Sequence, residues 1–538
     1  MAINLNKVML FACLLFSQIV FQAAWASSAG DYTSGLAQIN SSKLKEVALG
    51  VEQLIASDHP KTERVLNAML ESNLYRHKKE KRLVMLLEKN GSQYTIADLN
   101  DESRQETLSK RKLKRVPINN TLRGKIKVYL AGKQLSSEST DVRKSAAQKL
   151  LSDLDADALA LFKERVELET NPDVIYILKS GISLDKLVTG EPFEKSEAVK
   201  FLSESLEPAV RNALTGLAET GSDELKPLAQ KALLKIEDKV AFYGFLEKLF
   251  FGLSLGSVLV LAAIGLAITF GVMGCINMAH GELIMIGAYT TYVIQLLMPN
   301  SIGASLIIAV PAAFIVSGLV GIAIERGIIQ FLKGRPLETL LATFGVSLVL
   351  QQLVRSIFSP LNRSVETPEW MSGALDINPI FAITYNRLYI IFFCLAVFAL
   401  LFFVLRKTVL GLQVRAVSQN RNMARAMGVK SEWVDALTFG LGSGVAGVAG
   451  VALSQLTNVG PNLGQSYIID SFMVVVFGGV GNLWGTLVAG MSLGVANKML
   501  EPVSGAVLAK ILVLVFIILF IQKKPRGLFP QKGRAAED

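Results

Sequence analysis

An all-α polytopic membrane protein of about nine transmembrane helices, with an exported, mainly helical N-terminal domain holding a small β portion, is the fold class this sequence predicts. Three observations predict it. The 538 residues are 51% hydrophobic and only 19% charged, with mean hydropathy +0.41, which excludes a disordered chain and an ordinary soluble enzyme. The charge is partitioned: residues 27–240 hold 34 Lys/Arg and 32 Asp/Glu, whereas residues 241–538 hold 20 and 13. Apolar runs long enough to span a bilayer recur through the second part. The domain boundaries follow as 1–26, 27–240, 241–530 and a cytoplasmic tail 531–538.

Lys7, the apolar run Val8 to Ala24 and the small-x-small motif Ala24-Trp25-Ala26 before Ser27 predict a secretory signal peptide, with an uncleaved anchor as the alternative. Residues 27–240 contain no cysteine, so no disulfide framework or Cys-x-x-Cys site is expected there. From Asp141 to Val240 apolar residues recur at three- and four-residue steps, as at Val142, Ala146, Leu150 and Leu151. The stretches beginning at Asp141, Glu207 and Glu224 look alike and resemble the second helix of HEAT-type repeats, which predicts a short helical solenoid. Strands are expected at Val84–Leu87 and Gln93–Ala97 around Asn90-Gly91, and at Lys127–Leu130. The basic run Lys110 to Arg115 reads as a solvated loop or a lipid- or partner-binding patch. His59 and His77 stand alone, so no metal site and no cofactor are expected.

Nine spans are predicted: 249–272, 281–298, 302–325, 337–358, 388–405, 434–456, 467–481, 484–500 and 506–522. With residues 27–240 outside, the inner loops hold Arg326, Lys333, Arg335, Arg406, Lys407, Arg415, Arg421, Arg425 and Lys430, which satisfies the positive-inside rule. Polar groups within the apolar runs are Asn277, His280, Glu282, Thr343, Gln351, Gln352, Arg355 and Asp470; such groups face a cavity or another helix. Gly274, Gly281, Gly478, Gly479, Gly481 and Gly485 are the expected helix-break or close-packing positions, and Gly440–Gly450 a packing run.

Three stretches then resemble one family, the membrane permeases of branched-chain amino-acid-type ABC importers: Ala263 to Leu283, Arg415 to Gly428, and Val474 to Thr486. Within it, Gly334 to Gly345, Tyr467 to Gly481 and Val116 to Arg123 resemble the urea-importer permeases. The resemblance implies a non-enzymatic channel half in a bacterial inner membrane. Its partners would be a second homologous permease, two cytoplasmic ATPase subunits and a periplasmic substrate-binding protein; its solute would be urea, or alternatively a branched-chain or other amino acid. No GxxxxGK[ST] loop occurs in the chain, in agreement with ATP chemistry supplied by a partner. The resemblance assigns Arg415, Asn420, Ala424 and Gly428 to an ATPase-coupling loop.

For the pathway the candidates are Asn277, Glu282, Thr343, Gln351 and Asp470. Uncharged urea wants amide, hydroxyl and carboxylate groups, whereas a zwitterion wants a cation such as Arg355 set against Glu282 or Asp470. His280 reads as a structural histidine at a kink or as a proton relay. An intramembrane protease lacks a GxSxG nucleophile motif here, and a secondary transporter or passive channel has no use for the coupling loop.

Overall fold

The computed structural model describes residues 32–91, 93–99 and 105–529; the signal segment lies outside them. It divides into two compact units, Met1–Glu237 and Asp238–Asp538.

The first unit opens with helical residues 32–39 (α1), Leu44–Ser57 (α2) and Thr62–Leu70 (α3). A sheet follows: Leu74–His77 (β1), Leu83–Asn90 (β2), Gln93–Asp98 (β3), Gln105–Ser109 (β4) and Leu113–Arg115 (β5), in the antiparallel order β4-β3-β2-β1-β5. The expected β2–β3 hairpin is present, with Gly91 at φ +60° supplying the turn. Apolar residues of α1–α3, such as Ile39, Val51, Leu54 and Leu66, pack with Leu74 and Ile126 into one core.

Six helices then run as Asn120–Leu135 (α4), Thr140–Leu151 (α5), Ala156–Leu168 (α6), Pro172–Thr189 (α7), Pro192–Leu202 (α8) and Pro208–Thr220 (α9). The strand expected at Lys127–Leu130 is instead the middle of α4. Asn119 caps that helix by accepting from Leu122 N at 2.9 Å, and Leu122, Ile126 and Leu130, four residues apart, form a buried stripe that overrides the local β preference. The three look-alike stretches fall on α5, α9 and the start of the next helix, Leu225–Met273 (α10). Phe162, Leu151 and Leu178 fill the core between α4 and α7.

One clamp fixes these helices. Arg143 of α5 donates from Nε and Nη2 to Glu169 at 2.9 and 3.1 Å, and from Nη1 to the carbonyls of Ser137 and Glu138. Burial pushes the Glu169 carboxyl up, but Arg143 and the N–H groups of Asn171 and Thr170 outweigh it, so the group titrates below the ordinary carboxylate range.

In the second unit the helices are the rest of α10, then His280–Leu297 (α11), Ile302–Gly327 (α12), Pro336–Phe358 (α13), Tyr385–Lys407 (α14), Val409–Gln419 (α15), Arg421–Ala426 (α16), Ser431–Ser454 (α17), Leu463–Gly478 (α18), Leu483–Ser504 (α19) and Ala506–Lys523 (α20). A two-stranded ribbon, Ala374–Asp376 (β6) and Ala382–Thr384 (β7), precedes α14.

Among the described residues six helices are long and apolar enough to cross a membrane: α10, α12, α13, α14, α17 and α20. The other three expected spans are also helical, as α11, α18 and α19. Their shortfall is physical: α18 has 16 residues, α11 carries His280, Glu282 and Gln295, and α19 carries Asn497, Lys498 and Glu501.

Helix α17 is the centre of this unit. A side chain at Gly287 of α11 would strike the backbone of Gly447, one at Gly450 the carbonyl of Ile284, and one at Gly442 the carbonyl of Gly265 in α10. The glycine run Gly440–Gly450 is thus a packing surface. By contrast, Gly479 and Gly481, at φ +102° and +78°, break the chain between α18 and α19, and Gly274 at φ +68° ends α10. Residues 528 and 529 finish the α18–α19 break: Leu528 N donates to Phe477 O at 2.9 Å and Phe529 N to Gly478 O at 3.2 Å.

Two outcomes are expected. Glu169→Gln removes the acceptor of a largely buried guanidinium and destabilises the α5–α7 region by about 3 kcal/mol at neutral pH. Because the folded-state pKa of Glu169 is depressed, the wild-type advantage is full above the unfolded carboxylate value near ~4.3 and is lost as pH falls through the lower folded value. Hydrogen exchange of α5–α7 amides across pH 7 to 3 measures both. Gly287→Val, facing rigid backbone, lowers unfolding stability by about 3 kcal/mol, whereas Gly345→Ala on α13, with open space around it, changes it by less than about 1 kcal/mol. Thermal unfolding of the detergent-solubilised variants distinguishes the two.

Candidate transport site

Helix α13 places Thr339, Thr343, Ser347, Gln351 and Arg355 at four-residue steps, so they wind along one face. The first four are buried, while Leu337, Leu341, Leu348 and Leu353 are exposed on other faces. The polar face meets the segment joining α10 to α11. Thr343 Oγ1 accepts from Met278 N at 3.1 Å, and Asn277 Oδ1 accepts from Ala279 N at 3.0 Å. Ser347 Oγ donates to Glu282 Oε1 at 3.1 Å. Further along, Gln351 Nε2 donates to Asn462 Oδ1 at 3.0 Å and Arg355 Nη2 to the same oxygen at 2.8 Å.

Four of the five expected pathway residues, Asn277, Glu282, Thr343 and Gln351, therefore share one seam. Asp470 makes a different contact: it accepts from Lys510 of α20 at 3.0 Å. His280 is fully buried, and its Nε2–H donates to Ala262 O at 2.8 Å, which anchors α11 to α10. Three buried polar atoms here have no protein partner: Asn277 Nδ2, Glu282 Oε2 and His280 Nδ1. A buried polar atom without a partner costs about 1–3 kcal/mol, so the seam holds unspent hydrogen-bonding capacity. Arg355 lies two turns beyond Ser347 on the same face, roughly 12 Å along the axis.

Sequence reasoning missed Ser347 as a seam residue and Asn462 altogether. The spacing 339, 343, 347, 351, 355 was the available signal for Ser347; Asn462 sits in a loop that no periodicity marks.

The expected coupling loop is two short helices, α15 and α16. Asn420 caps α16, accepting from Met423 N at 2.9 Å; Ala424 is buried; Gly428 at φ +85° stops the turn; and Arg415 Nη1 donates to Leu405 O. Beneath them lies a charge cluster that the sequence reading overlooked. Asp435, fully buried at the start of α17, accepts a bidentate pair from Arg421 at 2.7 and 2.9 Å and a third bond from Lys333 at 2.8 Å. Lys333 also approaches Glu325 at 3.4 Å, and Arg326 lies over Trp433 at 4.4 Å. The cluster ties the α12–α13 link, α16 and α17 together. Leu412, Met423 and Met427 remain exposed on the outer side of α15–α16.

The family described as branched-chain amino acid transport system / permease component matches residues 248–521. The high-affinity branched-chain amino acid transport system permease protein LivH of Salmonella typhimurium is 31% identical over 298 residues, covering 53% of this chain and 96% of that protein. BraD of Pseudomonas aeruginosa, named likewise, is 31% identical over 296 residues with the same coverage. A probable LivH of Methanocaldococcus jannaschii is 24% identical over 51% of this chain and 88% of its own length. No solved structure matches. The seam and helices α15 and α16 both lie inside the matched region. This chain belongs to the family of branched-chain amino acid transport system permease components, and it is a multi-pass membrane transport subunit, not an enzyme.

Proposed function

We propose that the chain is one permease of an ABC importer. With a second homologous permease it forms the pathway, a periplasmic binding protein delivers the solute, and two cytoplasmic ATPases drive it. The soluble unit faces the periplasm and the C-terminus the cytoplasm, in keeping with the basic residues between α12 and α13 and around α15–α16. The observation that carries the reading is the polar face of α13 against the α10–α11 junction, next to a buried cluster that ties the α12–α13 link, α16 and α17. A conformational push on α16 reaches α17 through Arg421–Asp435 and the α12–α13 link through Lys333.

Branched-chain or related amino acids are the solute class that the relatives' names favour. Urea is the second reading; the residues at 334–345 and 467–481 and the amide- and hydroxyl-rich seam favour it. In either case Glu282 Oε2 and Asn277 Nδ2 are the acceptor and donor offered to the passing molecule.

Uptake of labelled leucine and labelled urea, with and without this gene, decides between the solutes; unchanged uptake of both on deletion removes them. Ser347→Ala and Glu282→Gln are expected to lower uptake of the transported solute roughly tenfold at normal membrane insertion, whereas Asp470→Asn and Lys510→Ala are expected to resemble one another, as partners in one ion pair. Arg421→Ala is expected to keep ATPase assembly but lose transport roughly tenfold, read as ATP hydrolysed per solute moved.

A further inference from the structure

The basic run at 110–115 is not used by the transport reading, and the fold gives it company. Pairing of β1 with β5 sets Arg76 opposite Lys114, so the turn after β1 lies beside the turn before β5. The two are bonded: Lys78 N donates to Lys112 O at 3.0 Å and Lys78 Nζ to Arg111 O at 2.6 Å. Lys78, Lys79 and Lys81 from one turn thereby join Lys110, Arg111 and Lys112 from the other, all exposed. Lys114 adds a seventh cation. Three carboxylates at this end of the sheet, Glu80, Asp98 and Glu106, converge on Arg82 at 2.5, 2.7 and 3.0 Å, and the seven cations with Arg82 outnumber them by five. Lys114 and Arg115 on the edge strand guard it against strand addition, but the lysines of the turns lie off that edge and are not needed for it.

We propose that this cationic corner docks on an anionic phospholipid surface. Composition selects that partner over a protein. Protein interfaces favour Arg and aromatic anchors and deplete Lys. Six of these seven cations are lysines, and no exposed aromatic residue lies in either turn. Hydrated point charges on flexible stems suit a diffuse anionic surface. The same chain carries six helices able to cross a bilayer, so a lipid surface is present wherever the chain is inserted.

The test uses the full chain in nanodiscs of phosphatidylglycerol with phosphatidylcholine, or of phosphatidylcholine alone. A water-soluble amine-reactive ester labels lysines, and mass spectrometry reads each site. Lys78, Lys79, Lys110 and Lys112 are expected to label roughly tenfold more slowly in the anionic discs, with the protection lost at about 1 M salt. Lys149 and Lys163, on α5 and α6, should label equally in both and report that the domain is folded. Replacing Lys110, Arg111 and Lys112 by Gln should remove the protection at Lys78 and Lys79 while leaving Lys149 unchanged. Equal labelling in the two discs overturns the proposal. So does protection that persists in pure phosphatidylcholine, or that arises only when the solute-binding protein is added.

Discussion

Backbone-to-backbone approach of α17 to its neighbours is the constraint on which the membrane unit rests. Lipid tails are as apolar as leucine, so helices in a bilayer gain little by hiding apolar side chains from the solvent around them. They gain by fitting closely, and closeness requires that a side chain be missing. Glycines of α17 meet glycines or bare backbone on α10 and α11, and Gly444 faces Phe314 of α12. With α17 buried and α13, α14 and α20 largely exposed within this unit, the polar face of α13 is placed against a rigid block.

The first unit obeys different physics. Its helices are short and apolar on one stripe, and Asn119, Asp155 and Asn171 cap α4, α6 and α7. Its order comes from local cores and from polar clamps such as Arg143 with Glu169. The same acid–base chemistry recurs in the membrane unit at Asp435. There the carboxylate is fully buried, and its value lies in fixing three chain segments at one point.

Much of this was legible in the residues. Apolar runs marked the helix positions of the second unit, and Asn90-Gly91 marked a hairpin, because composition and turn chemistry act locally. Lys127–Leu130 misled because four residues cannot show a helical stripe that needs Leu122 and Ile126 to be seen. Glu325 and Asp435 escaped because they stand at the ends of apolar runs, where a charge looks like an ordinary boundary; only the fold shows that these two ends meet. Asn277, Glu282, Thr343 and Gln351 converge because each is a polar residue that a bilayer cannot solvate. Asp470 obeyed the same rule with another partner, Lys510, whose position on α20 no local pattern connects to it.

The break between α18 and α19 carries a consequence for the order of assembly. Its carbonyls at Phe477 and Gly478 accept from Leu528 and Phe529, and Asn482 Nδ2 donates to Phe529 O, 47 residues downstream. During synthesis those two carbonyls therefore wait for these donors until α19 and α20 have been made and the chain beyond them has come back. The glycines that permit the break supply its shape at once. Its closure is a late event, set by the ribosome's progress and not by the turn's own sequence.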